Sequence, residues 1–384
     1  MAKNSNLHSA KQAKNDEFYT RYEDIENEIN AYITYNPNVF KDKVILLPCD
    51  DPEWSNFTKY FAMNFTRFGI KKLISTSYAR SQSNNQITQF ESESENYDAN
   101  KHDTHGKLFI LESDGNHVDI DDLKFTYLEG DGDFRSEEVT NLRNEADIII
   151  TNPPFSLFRE FLDWIMETDK QFVIIGSQNA ITYKEVFPLL KNNEIWLGFG
   201  HPKEFIQPNN NIKKFGNICW FTNLDHCGRH EPLLLDTKAN NLKYNKKLKK
   251  KLDTYDVSDY PKYDNYDAIE VPFVECIPSD YNGFMGVPIT FLDKYCPEQF
   301  ELIGLLQSST NEQAGIPNLR YYNDFKEMRQ DMSFTGSSGG KANGNPVVKG
   351  KSQKGNFLFN PVTGEYVHSV YARILIKHKK GVNI

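Results

Sequence analysis

With 384 residues, 39 % of them hydrophobic and 25 % charged, the chain has the size and composition of a globular protein of about two domains. Its formal net charge of −9 excludes a protein that coats nucleic acid non-specifically, because such binding depends on Lys and Arg replacing counterions. No apolar run approaches the roughly 20 residues of a transmembrane helix, and the five scattered cysteines contain no Cys-x-x-Cys pair. These features predict a reduced, cytoplasmic protein without a membrane span.

From residue 43 onward, apolar strands alternate with amphipathic helices. The predicted strands are residues 44–47, 72–76, 108–111, 124–128, 146–151, 172–175, 194–199 and 217–222. Aromatic residues at three- and four-residue spacing predict a helix over 57–68, and a second apolar helical face covers 158–166. This alternation predicts an α/β fold with a largely parallel sheet, in which ligands bind at the carboxyl ends of the strands.

Two changes in composition divide the chain. Residues 80–105 lose the apolar periodicity and predict a long surface loop or insertion. Beyond about residue 225 come a lysine-rich run at 243–251 and a Gly/Ser/Lys-rich region at 335–355, so we expect one domain over 1–235 and another over 236–384. Residues 335–384 carry eight basic side chains and one acid, which makes the C-terminal end electropositive.

The most specific motif is Asn152-Pro153-Pro154-Phe155, directly after the clearest buried strand. The two prolines lack N–H donors, so the turn presents carbonyl oxygens beside the Asn152 side chain. The Asn152 amide oxygen and the Pro153 carbonyl are suited to accept the two hydrogens of an exocyclic amine, while Phe155 stacks on the same planar ring. The alternative is a rigid strand-to-helix turn in which Asn152 caps a helix starting near Ser156.

In this context the motif resembles motif IV of the amino-methyltransferases that use S-adenosylmethionine. The chain as a whole resembles the adenine-specific DNA methyltransferases of the EcoRI type, over roughly residues 15 to 380. Further segments that resemble this family are 16–20, 49–52, 55–57, 132–134, 263–267 and 285–291. The resemblance implies a Rossmann-like, S-adenosylmethionine-dependent methyltransferase sheet with a C-terminal DNA target-recognition region.

The resemblance also implies three cofactor-binding segments. They contain Phe18, Tyr19 and Thr20; Cys49, Asp50, Asp51 and Pro52; and Asp133 with Phe134. Carboxylates in the second segment are suited to hold the ammonium group of the methionine moiety, and Asp133 to accept from the cofactor's adenine amine. Each segment has a plainer interpretation, since Thr20 followed by Glu23 is typical of a helix capping box and the other two are typical of Asp-containing turns.

The implied reaction is methyl transfer to N6 of adenine in duplex DNA, which requires the base to be turned out of the helix. The candidates for stacking on that base are Phe155, Phe215 and Trp220, the last two lying where motif VIII falls in related enzymes. Side chains alternate along a strand, so either Trp220 or Phe221 belongs to the core alone. The transfer mainly needs alignment, because the amine attacks the methyl group directly.

The predicted DNA-binding residues are Lys246, Lys247, Lys349, Lys351 and Lys354. A lysine run is ordinarily a solvated helix face, but the electropositive C-terminal end favours phosphate contacts. Cys219, His226, Cys227 and His230 do not have the spacing of a zinc site, so no metal is expected.

The predicted function is therefore a site-specific DNA adenine N6-methyltransferase, either the modification component of a type II restriction–modification system or an orphan relative. Its expected partners are double-stranded DNA and a companion restriction endonuclease that acts on the same site without direct contact, and a monomer is expected. Two alternatives stay open. One is a methyltransferase acting on guanine N2 of RNA or on a protein glutamine amide, and the other is a non-catalytic DNA-binding protein of the same fold.

Overall fold

The computed structural model describes residues 19–51, 55–79, 94–112, 125–207 and 211–379. The chain divides into two compact units, the first comprising Met1–Ala180 with Ile195–Cys227 and the second Ile181–Glu194 with Gly228–Ile384, each as far as it is described. The segment 181–194, expected in the first domain, therefore groups with the second unit. In the described part of the chain, no helix is long and apolar enough to cross a membrane.

The first unit holds the alternating elements expected from the sequence. Its helices are α1 (Tyr22–Tyr35), α2 (Asn56–Met63), α3 (Phe65–Phe68), α4 (Glu137–Glu145) and α5 (Phe158–Met166). Its strands are β1 (Tyr19–Thr20), β2 (Val44–Leu47), β3 (Lys72–Thr76), β4 (Lys107–Glu112), β5 (Phe125–Tyr127), β6 (Ile148–Thr151), β7 (Gln171–Ser177), β8 (Trp196–Leu197), β9 (Glu204–Ile206), β10 (Ile212–Lys214) and β11 (Ile218–Thr222). Of the predicted insertion at 80–105, residues 94–105 form turns and bends, and 80–93 lie outside the described residues.

Eight of these strands form one mixed sheet in the order β5-β4-β3-β2-β6-β7-β11-β8. Among the described strands of this sheet, the neighbouring pairs β3–β2, β2–β6 and β6–β7 are parallel, whereas β4 and β11 are antiparallel to their neighbours. The prediction of a largely parallel sheet thus holds for the centre alone. A parallel neighbour requires a crossover connection, and β11 instead follows directly on the β9–β10 hairpin.

The order of the central strands reverses at β2. The chain continues from β2 to β3 on one side, and β6 then pairs on the other side of β2. In open α/β sheets, ligands bind outside the carboxyl ends of the strands at such a switch point. The residues that follow β2 and β6 are therefore placed to form a ligand-binding site.

The predicted helix over 57–68 is present as two helices. Asn64, at φ −102° and ψ 8°, leaves the helical conformation between α2 and α3, and Gly69 ends α3 in the left-handed region at φ 64°. The aromatic stripe still packs as predicted, with Phe57, Tyr60 and Phe61 buried against the sheet. Its burial fixes α2, and hence the segment between β2 and α2, to the sheet.

A separate three-stranded sheet, β1-β9-β10, is called the flap sheet below. Both of its pairings are antiparallel, with Thr20 opposite Phe205 and Phe205 opposite Lys213. The flap sheet therefore joins the start of the described chain to a hairpin nearly 190 residues later.

The second unit consists of short helices and two sheets. Its helices are α6 (Phe187–Lys191), α7 (Lys238–Tyr244) and α8 (Lys246–Asp253). Its strands are β12 (Ile269–Glu270), β13 (Met285–Pro288), β14 (Phe300–Leu306), β15 (Lys326–Met328), β16 (Phe334–Ser338), β17 (Val347–Lys349), β18 (Phe357–Phe359), β19 (Tyr366–Ser369) and β20 (Arg373–His378). The strand orders are β12-β13-β20-β14 and β16-β15-β18-β19-β17. Helix α6 packs on β14, which explains why 181–194 belongs to this unit.

The packing at the end of β3 can be tested by replacing Gly132. Its φ is +79°, and a Cβ there would lie 2.1 Å from the carbonyl oxygen of Ser77. Gly132→Ala is expected to lower the free energy of unfolding by about 2 kcal/mol, measured by urea denaturation, because both strain and overlap must be relieved. Gly130→Ala is the matched control, since its Cβ meets open space. Equal stability of the two variants would contradict this account.

Candidate active site

The carboxylate of Asp50 joins the segments that follow β2 and β6. Ser55, the N-cap of α2, donates its hydroxyl to Asp50 Oδ1 (2.6 Å), and Thr151, the last residue of β6, donates to Oδ2 (2.6 Å). Ser55 Oγ also accepts from the Phe57 amide at 3.0 Å. One buried side chain thus fixes the predicted cofactor segment against the strand that leads into Asn-Pro-Pro-Phe.

A layer of buried hydroxyls surrounds the backbone of Asp50. The Asp50 amide donates to the Thr76 carbonyl (2.9 Å), and Ser75 Oγ donates to the Asp50 carbonyl. Ser75 Oγ also lies 2.7 Å from Thr58 Oγ1. Burial raises the pKa of Asp50 to about 7, although the Ser55 and Thr151 hydroxyls oppose that rise. Asp50 therefore has a structural role, because both of its carboxylate oxygens accept hydrogen bonds from neighbouring side chains.

The neighbours of Asp50 differ in their access to solvent. Burial raises the pKa of the Cys49 thiol well above its usual range, so this side chain is a neutral packing group. Asp51 is half-buried, and its carbonyl accepts from the Ser55 amide at 2.8 Å. Among the predicted cofactor residues of this segment, Asp51 is the carboxylate nearest to solvent, and Pro52 lies outside the described residues.

The first predicted cofactor segment lies in the flap sheet. Tyr19 and Thr20 form β1, and the N-cap of α1 is Arg21, which makes no side-chain capping bond among the described residues. The capping-box alternative for Thr20 is therefore wrong. Thr20 is 2 % exposed, its carbonyl accepts from Asn56 Nδ2 at 2.7 Å, and its hydroxyl has no hydrogen-bond partner in the described structure. Phe18 lies outside the described residues.

The third predicted segment lies beside the end of β3, where the Ala79 amide donates to the Asp131 carbonyl at 2.6 Å. Asp133 accepts two hydrogen bonds from the Arg135 guanidinium, at 2.9 and 2.6 Å, and this guanidinium holds the pKa of Asp133 below its usual range. Phe134 is buried edge-on against Phe161, with ring centroids 5.0 Å apart. The segment is thus a turn, and its carboxylate is ionised and partly exposed.

The Asn-Pro-Pro-Phe segment leaves β6 in an extended conformation. A short 3-10 helix over Phe155–Leu157 follows. The N-cap of this 3-10 helix is Pro154, and the N-cap of α5 is Leu157. Asn152 is therefore not the helix cap of the alternative interpretation. Gly176 on β7 admits the Phe158 ring, since a Cβ there would lie 2.3 Å from it. This close approach seats α5 and fixes where the motif ends.

Two of the three predicted stacking residues come together. Phe155 and Phe215 are both half-buried, with ring centroids 6.2 Å apart, and Phe205 of β9 lies 6.4 and 5.5 Å from them. The prediction for Trp220 is wrong. Both faces of β11 are covered, so Trp220 is 0 % exposed and packs edge-on against Phe57. Sequence analysis missed Phe205, whose only signal was the apolar pair Phe205-Ile206 between polar residues in a three-residue strand.

The predicted DNA-binding lysines all lie in the second unit. Lys246 and Lys247 are on the solvated face of α8, and Lys247 pairs with Glu275 at 3.1 Å. Lys349 ends β17, while Lys351 and Lys354 follow in an exposed loop. Within the described ranges, no group of three or more His, Cys, Asp and Glu side chains is placed to hold a metal ion.

The sequence model of the family described as adenine-specific methyltransferase EcoRI matches residues 6–379. The type II methyltransferase M.EcoRI of Escherichia coli is 43 % identical over 320 residues, covering 79 % of this chain and 89 % of the relative. M.MpnI of Mycoplasma pneumoniae is 36 % identical over 316 residues (77 % and 84 %), and M.MgeORF184P of Mycoplasma genitalium is 34 % identical over 340 (84 % and 91 %). No solved structure gives a significant match.

The pKa of Asp50 predicts how stability depends on pH. Between its ordinary value near 3.8 and about 7, the folded chain holds a proton that the unfolded chain has lost. The stability contributed by this group is therefore full below the ordinary value and is lost as the pH rises through about 7. In urea unfolding, the free-energy difference between wild type and Asp50→Asn should fall from about pH 5 to about pH 8. A difference that stays constant with pH would contradict the assignment.

Proposed function

The chain belongs to the family of adenine-specific methyltransferases represented by EcoRI, and from this membership we propose how its parts divide the work. It is a DNA adenine methyltransferase of the restriction–modification type and uses S-adenosylmethionine as methyl donor. We assign catalysis to a Rossmann-like domain over residues 1–235, excluding 181–194, and DNA target recognition to the C-terminal region from 236. The separation of the described chain into two units near residue 227 supports this assignment.

Two segments are suited to bind the methyl donor, namely β1 of the flap sheet and the residues that follow β2. Thr20 offers a buried hydroxyl that lacks a partner in the described structure, and Asp51 offers a half-buried carboxylate at the switch point of the sheet. We assign Asp51 to the ammonium group of the methionine moiety and Thr20 to a polar group of the same molecule. When bound, S-adenosylmethionine supplies an electrophilic methyl group. Asp50 then acts as the residue that orients the Asp51 segment.

The Asn-Pro-Pro-Phe segment fits the target amine. Asn152 is half-buried, and Pro153 and Pro154 leave a stretch of backbone without N–H donors. The Asn152 amide oxygen and the Pro153 carbonyl accept the two N6 hydrogens, which draws the nitrogen lone pair out of conjugation with the ring. Phe155 and Phe215 supply aromatic surface for the base. The residues align the reactants, and the proton leaves afterward to water.

The observation that carries this proposal is the pair of hydrogen bonds at Asp50. Through Ser55 and Thr151, they fix the segment after β2 and the end of β6 to one carboxylate. The cofactor segment and the amine-binding segment therefore belong to one site. We also propose a companion endonuclease that acts independently on the same DNA site, a monomeric enzyme and a cytoplasmic location.

Asn152→Ala should abolish methyl transfer while leaving cofactor binding intact. Without the amide oxygen the N6 amine is no longer aligned, and misplacement of a reacting group costs about a hundredfold or more in rate. The assay is single-turnover transfer of radiolabelled methyl groups to genomic DNA that lacks N6-methyladenine, with S-adenosylmethionine affinity measured by calorimetry. Asn192→Ala, at an exposed position, is the control. Full activity of Asn152→Ala would exclude the role assigned to that side chain.

Reversal of Lys349, Lys351 and Lys354 to Glu should weaken DNA binding and flatten its dependence on salt. Removal of one phosphate contact reduces the slope of log K against log salt by about 0.9. Fluorescence anisotropy with a labelled duplex at several salt concentrations measures both quantities. Reversal of Lys41, Lys71 and Lys170 makes the same change in net charge within the first unit and serves as control. Unchanged binding by the first variant would overturn the proposed DNA-binding role.

A further inference from the structure

A second buried carboxylate lies outside the segments discussed above. Glu28, in the middle of α1, is fully buried, and its two oxygens accept three hydrogen bonds. The Tyr32 hydroxyl and the Phe199 amide donate to Oε1 at 2.6 and 2.9 Å, and the Gly200 amide donates to Oε2 at 2.6 Å. A carboxylate in the core is costly unless it is fully hydrogen-bonded, and here two consecutive backbone amides supply most of the compensation.

The loop that donates these amides is shaped around Glu28. A Cβ at Gly198 would lie 2.1 Å from Glu28 Oε1 and 2.6 Å from Trp220 Cβ, so only glycine fits there. A Cβ at Gly200 would lie 3.1 Å from Oε2. The predicted strand over 194–199 is present only as β8, and it ends at Leu197 because Phe199 turns its amide toward Glu28. Residues 198–200 are called the Glu28 loop below.

The Glu28 loop leads directly into the flap sheet. Four residues after Gly200 the chain enters β9, whose Phe205 is paired with Thr20 of β1. The Phe205 ring also contacts the rings of Phe155 and Phe215. Any displacement of β9 therefore moves both the proposed cofactor contact and the proposed base-stacking surface.

We propose that Glu28 is a positioning residue for methyl transfer: its carboxylate holds the Glu28 loop so that the flap sheet presents Thr20 to the methyl donor and Phe215 to the flipped adenine. This inference rests on the proposed function of the flap-sheet residues. Burial without a cationic partner also raises the pKa of Glu28 to about 7. A buried carboxylate of this kind is seldom the most stable choice for a core position, which favours a role in positioning.

Glu28→Gln is the central test. The amide keeps the size of the side chain but turns one NH2 group toward a backbone N–H, so one hydrogen bond to the loop is removed. We expect at least tenfold weaker S-adenosylmethionine binding by calorimetry and at least a tenfold slower single-turnover rate. Tyr32→Phe is the matched variant. It removes the hydrogen bond from the Tyr32 hydroxyl to Glu28 Oε1 but keeps the two hydrogen bonds from the amides of the Glu28 loop. It should change either quantity less than threefold. Glu26→Gln, exposed on the same helix, controls for the charge change.

Equal losses in Glu28→Gln and Tyr32→Phe would overturn the proposal, since they would show that only the stability of the core matters. Wild-type cofactor affinity and rate in Glu28→Gln would also overturn it. If Glu28→Gln does not fold, Gly200→Ala decides the matter: its Cβ presses on Oε2 while α1 stays intact, and we expect intermediate losses. Wild-type behaviour of Gly200→Ala would then contradict the proposal. The role of Asn152 is judged separately, because its replacement spares cofactor binding.

Discussion

The proposed site depends on one hydrogen-bonded carboxylate at the switch point of the large sheet. Asp50 is buried where β2 ends, and an unsatisfied carboxylate in that position would cost several kcal/mol. Ser55 and Thr151 satisfy it from two directions, one from the start of α2 and the other from the end of β6, 101 residues away in sequence. Because neither partner can move without leaving the carboxylate unsatisfied, the predicted cofactor segment and the Asn-Pro-Pro-Phe segment keep a fixed relative position.

The first unit uses the same physical device twice. Glu28 accepts from amides of a loop 171 and 172 residues away, just as Asp50 accepts from Thr151. In both cases a buried acid is compensated by neutral donors rather than by a cation, so its geometry is set by hydrogen-bond direction. Direct attack of an amine on a methyl group requires alignment more than acid–base chemistry. Buried carboxylates that hold two segments rigidly together suit that reaction. In the proposed site, the groups that they hold take no part in acid–base catalysis.

Sequence analysis predicted what depends on local pattern and short-range chemistry. The bounds of β2 and β3 agree with the apolar runs, and the Asn-Pro-Pro-Phe segment follows a buried strand as expected. It failed where distant segments decide the outcome. Trp220 is buried because strands on both sides and α2 cover β11, and Thr20 enters a strand because β9 pairs with it. The antiparallel edges of the sheet likewise depend on connections that periodicity does not reveal.

The most direct test of the account is single-base mapping of N6-methyladenine in genomic DNA from a host that expresses the chain, with an Asn152→Ala strain beside it. The account predicts one short sequence motif that is methylated by the intact protein and unmethylated in the variant strain. An absence of adenine methylation despite folded, expressed protein, or an equal pattern in both strains, would contradict the claim that the Asp50-linked segments form the methyl-transfer site.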